Sequence, residues 1–313
     1  MAAIETDALT RRYGEVVAVD SVDLTVEQGE VFGFLGPNGA GKSTLINMLL
    51  DYTPPTSGEA RVFGHRTRGE AVAIRERVGV LPDAYKLYER LSGRRHLEFV
   101  VQARQADDDP DDILDRVGLD PEDAERNAGD YSKGMAQRLV LGMALIGEPD
   151  LLILDEPSTG LDPNGIRLMR DIIREEVDRG ATVFFSSHIL GQVEAVCDRV
   201  GIMNEGRLIE VATLDEIRDT IGVGTTLHVT VDQQPDLTLS DLEAMDDVSN
   251  VRADGPELTM NLSDSTAKAK VINRLEEGGA TVVDFETAES SLEELFAELI
   301  DEDADEPEPE VSA

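Results

Sequence analysis

Gly36-Pro37-Asn38-Gly39-Ala40-Gly41-Lys42-Ser43 spells G-x-x-x-x-G-K-S, with the apolar run EVFGFL before it and the helical run STLINMLL after it. Glycines let backbone N–H groups come close to an anion's oxygens. A helix that starts at such a loop aims its positive end at the same point. Strand, loop and helix in this order make a phosphate-binding loop, which Thr44 carries on into the helix. Lys42 is set to reach terminal phosphates and Ser43 to give an oxygen to Mg2+. A second stretch, LLILDEP, closes an apolar run with Asp155 and Glu156. A carboxylate at the end of a buried strand is costly unless it serves a cation, so Asp155 reads as a Mg2+ residue. Glu156 can take a proton from water as general base. Two acids at a strand end are ordinary in so acidic a chain, but beside a phosphate loop they point to phosphoryl chemistry. His188 ends a third apolar run, FFSSH, where strand carboxyl ends form the ligand crevice of an open α/β sheet. His65, His96 and His228 have no such placement and read as surface or structural residues.

These residues need a particular set of elements behind them. Before the loop, AIETDAL and VVAVDSVDLTV alternate as half-buried strands do, with turns at Tyr13-Gly14 and Gln28-Gly29. LLILDEP and ATVFFSSH are short, continuous apolar runs, the pattern of central parallel strands. NGIRLMRDIIREEVDRG between them is helical, so the three make a crossover unit of an α/β sheet. From about Lys86 to Gly147 the pattern is helical and charged. After Ile221 it reads strand, helix, strand, strand, helix, strand, the order of a small ferredoxin-like unit. A closing helix, SSLEELFAELI, and a disordered acidic tail over 301–313 are expected after it.

The chain has 313 residues, 65 acids against 28 bases, and a formal charge of −37. Length allows about two domains, and an apolar fraction of 41% is enough to form cores. A surface so poor in clustered Lys and Arg argues against nucleic acid as a partner. It fits a salt-rich, halophilic cytosol, where ions screen self-repulsion. Cys197 is the single cysteine, which excludes an internal disulfide and a thiol metal site. The N-terminus lacks the pattern of a signal peptide, and no apolar run nears the roughly 18 residues that span a bilayer. The expectation is a soluble, cytoplasmic protein whose membrane role, if any, runs through another chain.

Over about residues 1–220 the phosphate loop, YSKGM, LLILDEP, STGLD and SSH occur in the order and at the intervals of ABC-type ATPase subunits, which the chain resembles. The resemblance implies a P-loop NTPase, with an N-terminal antiparallel β part, a RecA-like core and a helical subdomain at about 86–147. An accessory α+β domain, ferredoxin-like, would occupy 221–300. Tyr13 resembles the aromatic that stacks on adenine, Asp162 ends the loop that links two active sites across a dimer, and His188 matches the switch histidine at the γ-phosphate. YSKGM corresponds to the signature sequence, usually L-S-G-G-Q. Its Ser132, Lys133, Gly134 and Met135 would close over the ATP held by a partner chain. Tyr131, Lys133 and Met135 depart from the usual residues, in a variant resembling those of subunits paired with type-2, drug- or lipid-type exporters. Asp83 stands where most relatives have glutamine, in the loop that touches Mg2+ and reports to the membrane partner. The implied protein binds and hydrolyses ATP with Mg2+. It forms a homodimer, or a heterodimer with a paralogue, and drives a separate permease from the inner face of the membrane. A soluble ABC ATPase acting on DNA or ribosomes is the competing class. The absence of sustained heptads, the single cassette and the acidic surface argue against it.

Overall fold

The computed structural model describes residues 1–216, 225–233, 239–245, 247–262 and 267–289. The expected closing helix at 290–300 and the acidic tail at 301–313 lie outside the described residues. The chain forms two compact units, dividing between Thr213 and Leu214. This is earlier than the boundary near 220 suggested by the sequence, because the last strand of the first unit ends at Thr213.

In the first unit, β1 (Ala2–Tyr13) and β2 (Val16–Glu27) form an antiparallel hairpin turning at Gly14. Val22, Leu24 and Val26 are buried while the residues between them face out, the two-residue period of a half-covered strand. The chain then enters β3 (Val31–Leu35), in which every residue is buried. After α1 (Lys42–Leu49) come β4 (Ser57–Val62) and β5 (His65–Arg66), which complete a sheet of order β2-β1-β4-β5, and then the short helix α2 (Ala71–Arg77).

The second sheet gathers β3 with β6 (Val78–Leu81), β7 (Leu151–Asp155), β8 (Thr182–Ser187), β9 (Arg199–Asn204) and β10 (Arg207–Thr213). Its order is β10-β9-β3-β8-β7-β6, and all pairs are parallel except β9 with β10. β7 and β8 are buried at every position, which is why their sequences are continuous rather than alternating. Phe32, Phe34 and Phe184 meet across β3 and β8, with ring centroids 5.8 and 5.3 Å from Phe184. The helix α7 (Pro163–Asp178), capped by Asp162 with Pro163 at its first position, makes the crossover from β7 to β8, and the short α8 (Leu190–Val193) follows β8.

The helical subdomain holds α3 (Gly93–Arg104), α4 (Pro110–Arg116), α5 (Pro121–Ala124) and α6 (Lys133–Leu145). Helix begins only at Gly93. Just before it the chain is zipped to the approach of α6, with Ala128 N–H on Leu91 O at 2.8 Å and Gly129 N–H on Glu89 O at 3.0 Å. Arg116 of α4 reaches the buried Glu176 of α7 at 2.7 Å, and Arg179 meets its other oxygen at 2.5 Å. A carboxylate with two guanidiniums is the compensated form of a buried charge.

The second unit contains β11 (Thr225–Val231), α9 (Leu239–Glu243), β12 (Val248–Asp254), β13 (Glu257–Leu262), α10 (Ala267–Glu277) and β14 (Val282–Glu289). Its sheet is antiparallel throughout, in the order β12-β13-β11-β14. That is the ferredoxin-like arrangement. Leu227, Val229, Met260, Leu262, Val271 and Leu275 form the centre of its own core.

Candidate functional site

Sheet order explains why distant residues meet. Strands β3, β8, β7 and β6 are neighbours and run parallel. Their carboxyl ends therefore share one edge. The phosphate loop leaves β3, His188 follows β8, Asp155 and Glu156 end β7, and Asp83 follows β6. An open α/β sheet binds ligands along this edge.

A cleft there is lined by Ala18, Pro37, Asn38, Gly39, Gly41, Lys42, Ser43, Thr44, Asp83 and Glu156. Gly41, at φ 107°, caps α1, and a Cβ on it would fall 2.2 Å from Ala18 O. No other residue fits the turn that sends the loop under the β1–β2 hairpin. Lys42 is buried, donates to Gly36 O at 2.6 Å and Pro37 O at 3.2 Å, and lies 3.6 Å from Glu156 Oε1. Burial pulls its ammonium below the ordinary lysine value, while Glu156, Asp155 and Asp83 oppose the shift. A desolvated cation held only by carbonyls and an acid is primed for an anion that replaces them.

Glu156 sits at φ 49°, a left-handed conformation that is rare outside glycine and marks functional sites. Its N–H is held by Ser186, through the carbonyl at 3.2 Å and Oγ at 3.1 Å. Oε2 meets His188 Nδ1 at 2.8 Å. Oε1 is buried and has no hydrogen-bond partner. Asp155 is buried beside it and accepts from Ser186 Oγ at 2.5 Å. Ser43 and Asp155 are the hard-oxygen donors that Mg2+ takes together with phosphates and water. The orphaned Glu156 Oε1 is the acceptor that a water at such an ion would satisfy, so the residues fit the ion.

Gly36, Ala40, Asp155 and His188 are not among the residues that line the cleft, and Tyr13 ends β1 at the turn of the hairpin. Ser132, Lys133, Gly134 and Met135 are absent from its walls. They form the first turn of α6, where Ser132 Oγ caps the helix by accepting from Met135 N–H at 3.2 Å. Ser132 and Lys133 are exposed. Gly134 packs on the following loop so closely that a Cβ would lie 2.8 Å from Gly160 O. Arg138 binds Asp162 at 3.0 Å, fixing that loop to the same helix.

Several partners have no local signal in the sequence. Tyr131, in place of leucine, donates its hydroxyl to Asp123 O at 2.8 Å. A Cβ at residue 93 would lie 2.2 Å from that hydroxyl, so Gly93 makes room for it. Buried Gln137 accepts from Tyr85 Oη at 2.9 Å and donates to Pro157 O at 2.9 Å. It joins the stretch after Asp83, the helix α6 and the turn after Glu156. Ser186, which orients both acids, was equally invisible. His96 is structural: its ring accepts from Tyr88 N–H at 3.0 Å and binds Ser92 O at 2.8 Å.

Residues 19–159 match the ABC transporter family, and residues 213–300 match the C-terminal domain of DrrA1-3-like ATP-binding proteins. The bacitracin transport ATP-binding protein BcrA of Bacillus licheniformis is 35% identical over 95% of this chain and 97% of its own. The daunorubicin resistance ATP-binding protein DrrA3 of Streptomyces coeruleorubidus is 35% identical over 96% of each chain. Among solved structures, an ATP-binding subunit of an ABC transporter aligns at TM-score 0.65 and 30% identity, over 70% of this chain and 93% of that one. A dimeric post-hydrolysis ATP-binding cassette bound to ADP and Pi shares the fold at TM-score 0.62 and 22% identity, over 67% of this chain and 98% of that one.

Proposed function

The chain belongs to the ATP-binding, ATP-hydrolysing subunits of ABC transporters, and we propose that two such chains build each of its active sites and power a drug- or lipid-type exporter. The observation that carries this reading is a division within one chain. The cleft holds Lys42, Ser43 and Glu156, while the signature turn at Ser132–Met135 lies outside it and is exposed at its start. A helix N-terminus with free N–H groups is a second anion site. In a dimer it closes over the γ-phosphate gripped by the partner's loop, and Lys133 adds a cation opposite Lys42.

The geometry supports the following roles. The loop amides and Lys42 hold the β- and γ-phosphates, with Tyr13 toward the base. Ser43 and Asp155 hold Mg2+, which supplies charge neutralisation for the phosphates when bound. Glu156 Oε1 accepts a proton from the attacking water, and His188 fixes Glu156 through Oε2 and turns toward the γ-phosphate. Asp83 lines the cleft and conveys its occupancy toward a permease. The unit that ends at Thr213 acts as the nucleotide-binding domain and the unit after it as an accessory domain. No described helix is long and apolar enough to cross a membrane. The export path is assigned to a separate permease, docked at the inner face, on the strength of the transport ATP-binding subunits that the chain resembles. The bacitracin transport and daunorubicin resistance for which the relatives are named support a drug-type cargo and its removal from the cell.

Replacing Glu156 with Gln tests the assignment. ATP binding should persist and turnover should fall by at least about 100-fold, the usual worth of a general base. Full turnover by E156Q would remove Glu156 from the mechanism.

A further inference from the structure

β1 ends in Arg11-Arg12-Tyr13 before the turn at Gly14. Arg11 and Tyr13 are two apart on a strand and so share a face. The guanidinium carbon of Arg11 lies 4.4 Å from the Tyr13 ring centroid, within cation–π range. Arg11 is pinned from behind: Nη1 donates to Pro54 O at 2.7 Å. Its Nε is buried and has no hydrogen-bond partner. A buried N–H of that kind is costly unless something electron-rich serves it, and the ring face is what lies beside it. Tyr13 nevertheless keeps 48% of its surface exposed. The ring is thus braced on one side and open elsewhere.

Its position suits a planar ligand. Tyr13 pairs with Val16 across the hairpin, and Ala18, two residues on, lines the phosphate cleft. At the rise of a strand that is roughly 7 Å along the chain, the scale of a nucleoside between phosphate and base.

We infer that Arg11 is the residue that makes Tyr13 a base platform: its guanidinium covers one face of the ring and holds it so that a nucleobase stacks on the other. The inference rests on the proposed placement of ATP with its base toward Tyr13. Arg suits the task because its planar group stacks, whereas a lysine ammonium is a point charge. A ring already fixed loses less freedom when the base arrives, so affinity is gained through preorganisation. The competing role for Arg11 is long-range attraction of the polyphosphate, which would act on any polyanion in the cleft.

Calorimetry on the full chain with Mg2+ separates these roles, using ATP and inorganic tripolyphosphate as probes. Arg11→Met should weaken ATP about 2- to 5-fold and leave tripolyphosphate unchanged. Arg11→Lys should recover only part of the loss. Tyr13→Ala should weaken ATP at least as much, and adding Arg11→Met to it should have no further effect. Unchanged tripolyphosphate binding also reports that each variant is folded. Equal weakening of both probes by Arg11→Met, or of neither, overturns the inference while leaving Tyr13 in place. Undiminished ATP binding by Tyr13→Ala would instead remove the base platform itself, and the role of Arg11 with it.

Discussion

In the proposed function Glu156 carries the chemistry because of what surrounds it. One carboxylate oxygen is spent on His188, and the other is buried without a hydrogen-bond partner, 3.6 Å from the Lys42 ammonium. His188→Ala should therefore lower turnover while ATP affinity is held, because Lys42 and the loop are untouched. A matching loss of affinity in equilibrium binding would contradict that division. Asp83 makes a subtler case. It lines the cleft and its charge acts on Lys42. Asp83→Gln should shift the Mg2+ concentration at half-maximal turnover, and an unchanged Mg2+ curve would leave Asp83 a bystander. At this scale the sequence was informative where residues are contiguous, as in Gly36–Thr44 and Asp155-Glu156. It was silent on Ser186 and Ala18, whose neighbours in space lie far off in the chain.

The elements set these residues by strand order and by helix ends. Continuous apolar runs announced β3, β7 and β8, and the switch to a mixed pattern after 221 announced the ferredoxin-like unit. Their lateral order could not be read, because hydrophobic period reports which faces are buried and not which strand is the neighbour. Residues 86–92 are non-helical for a similar reason: a long-range zip to 127–129 overrides local pattern. The helix α6 is where element and site meet. Ser132→Ala removes its cap and should cost about 1 kcal/mol in urea unfolding. Gln137→Leu leaves Pro157 O and the Tyr85 hydroxyl without their buried partner and should cost about 1–3 kcal/mol. A Gln137→Leu protein with an unchanged urea midpoint would mean that the bridge between α6 and the turn after Glu156 contributes nothing.

For the whole molecule two properties matter, its charge and its incompleteness. A formal charge of −37 repels itself over about 30 Å in 10 mM salt and only about 3 Å in 1 M. The thermal midpoint should therefore rise from dilute buffer to molar KCl, and equal or greater stability in dilute buffer would contradict a halophilic surface. Incompleteness is the central claim: the cleft and the signature turn of one chain do not form one pocket, and in the proposed function ATP joins two chains. Sedimentation of the Glu156→Gln protein with Mg2+ and saturating ATP tests this directly, with Ser132→Arg added in parallel. The account predicts a dimer for Glu156→Gln, and a monomer that still binds ATP when Ser132→Arg is added. A Glu156→Gln chain that binds ATP yet sediments as a monomer, or a dimer indifferent to Ser132→Arg, would contradict it.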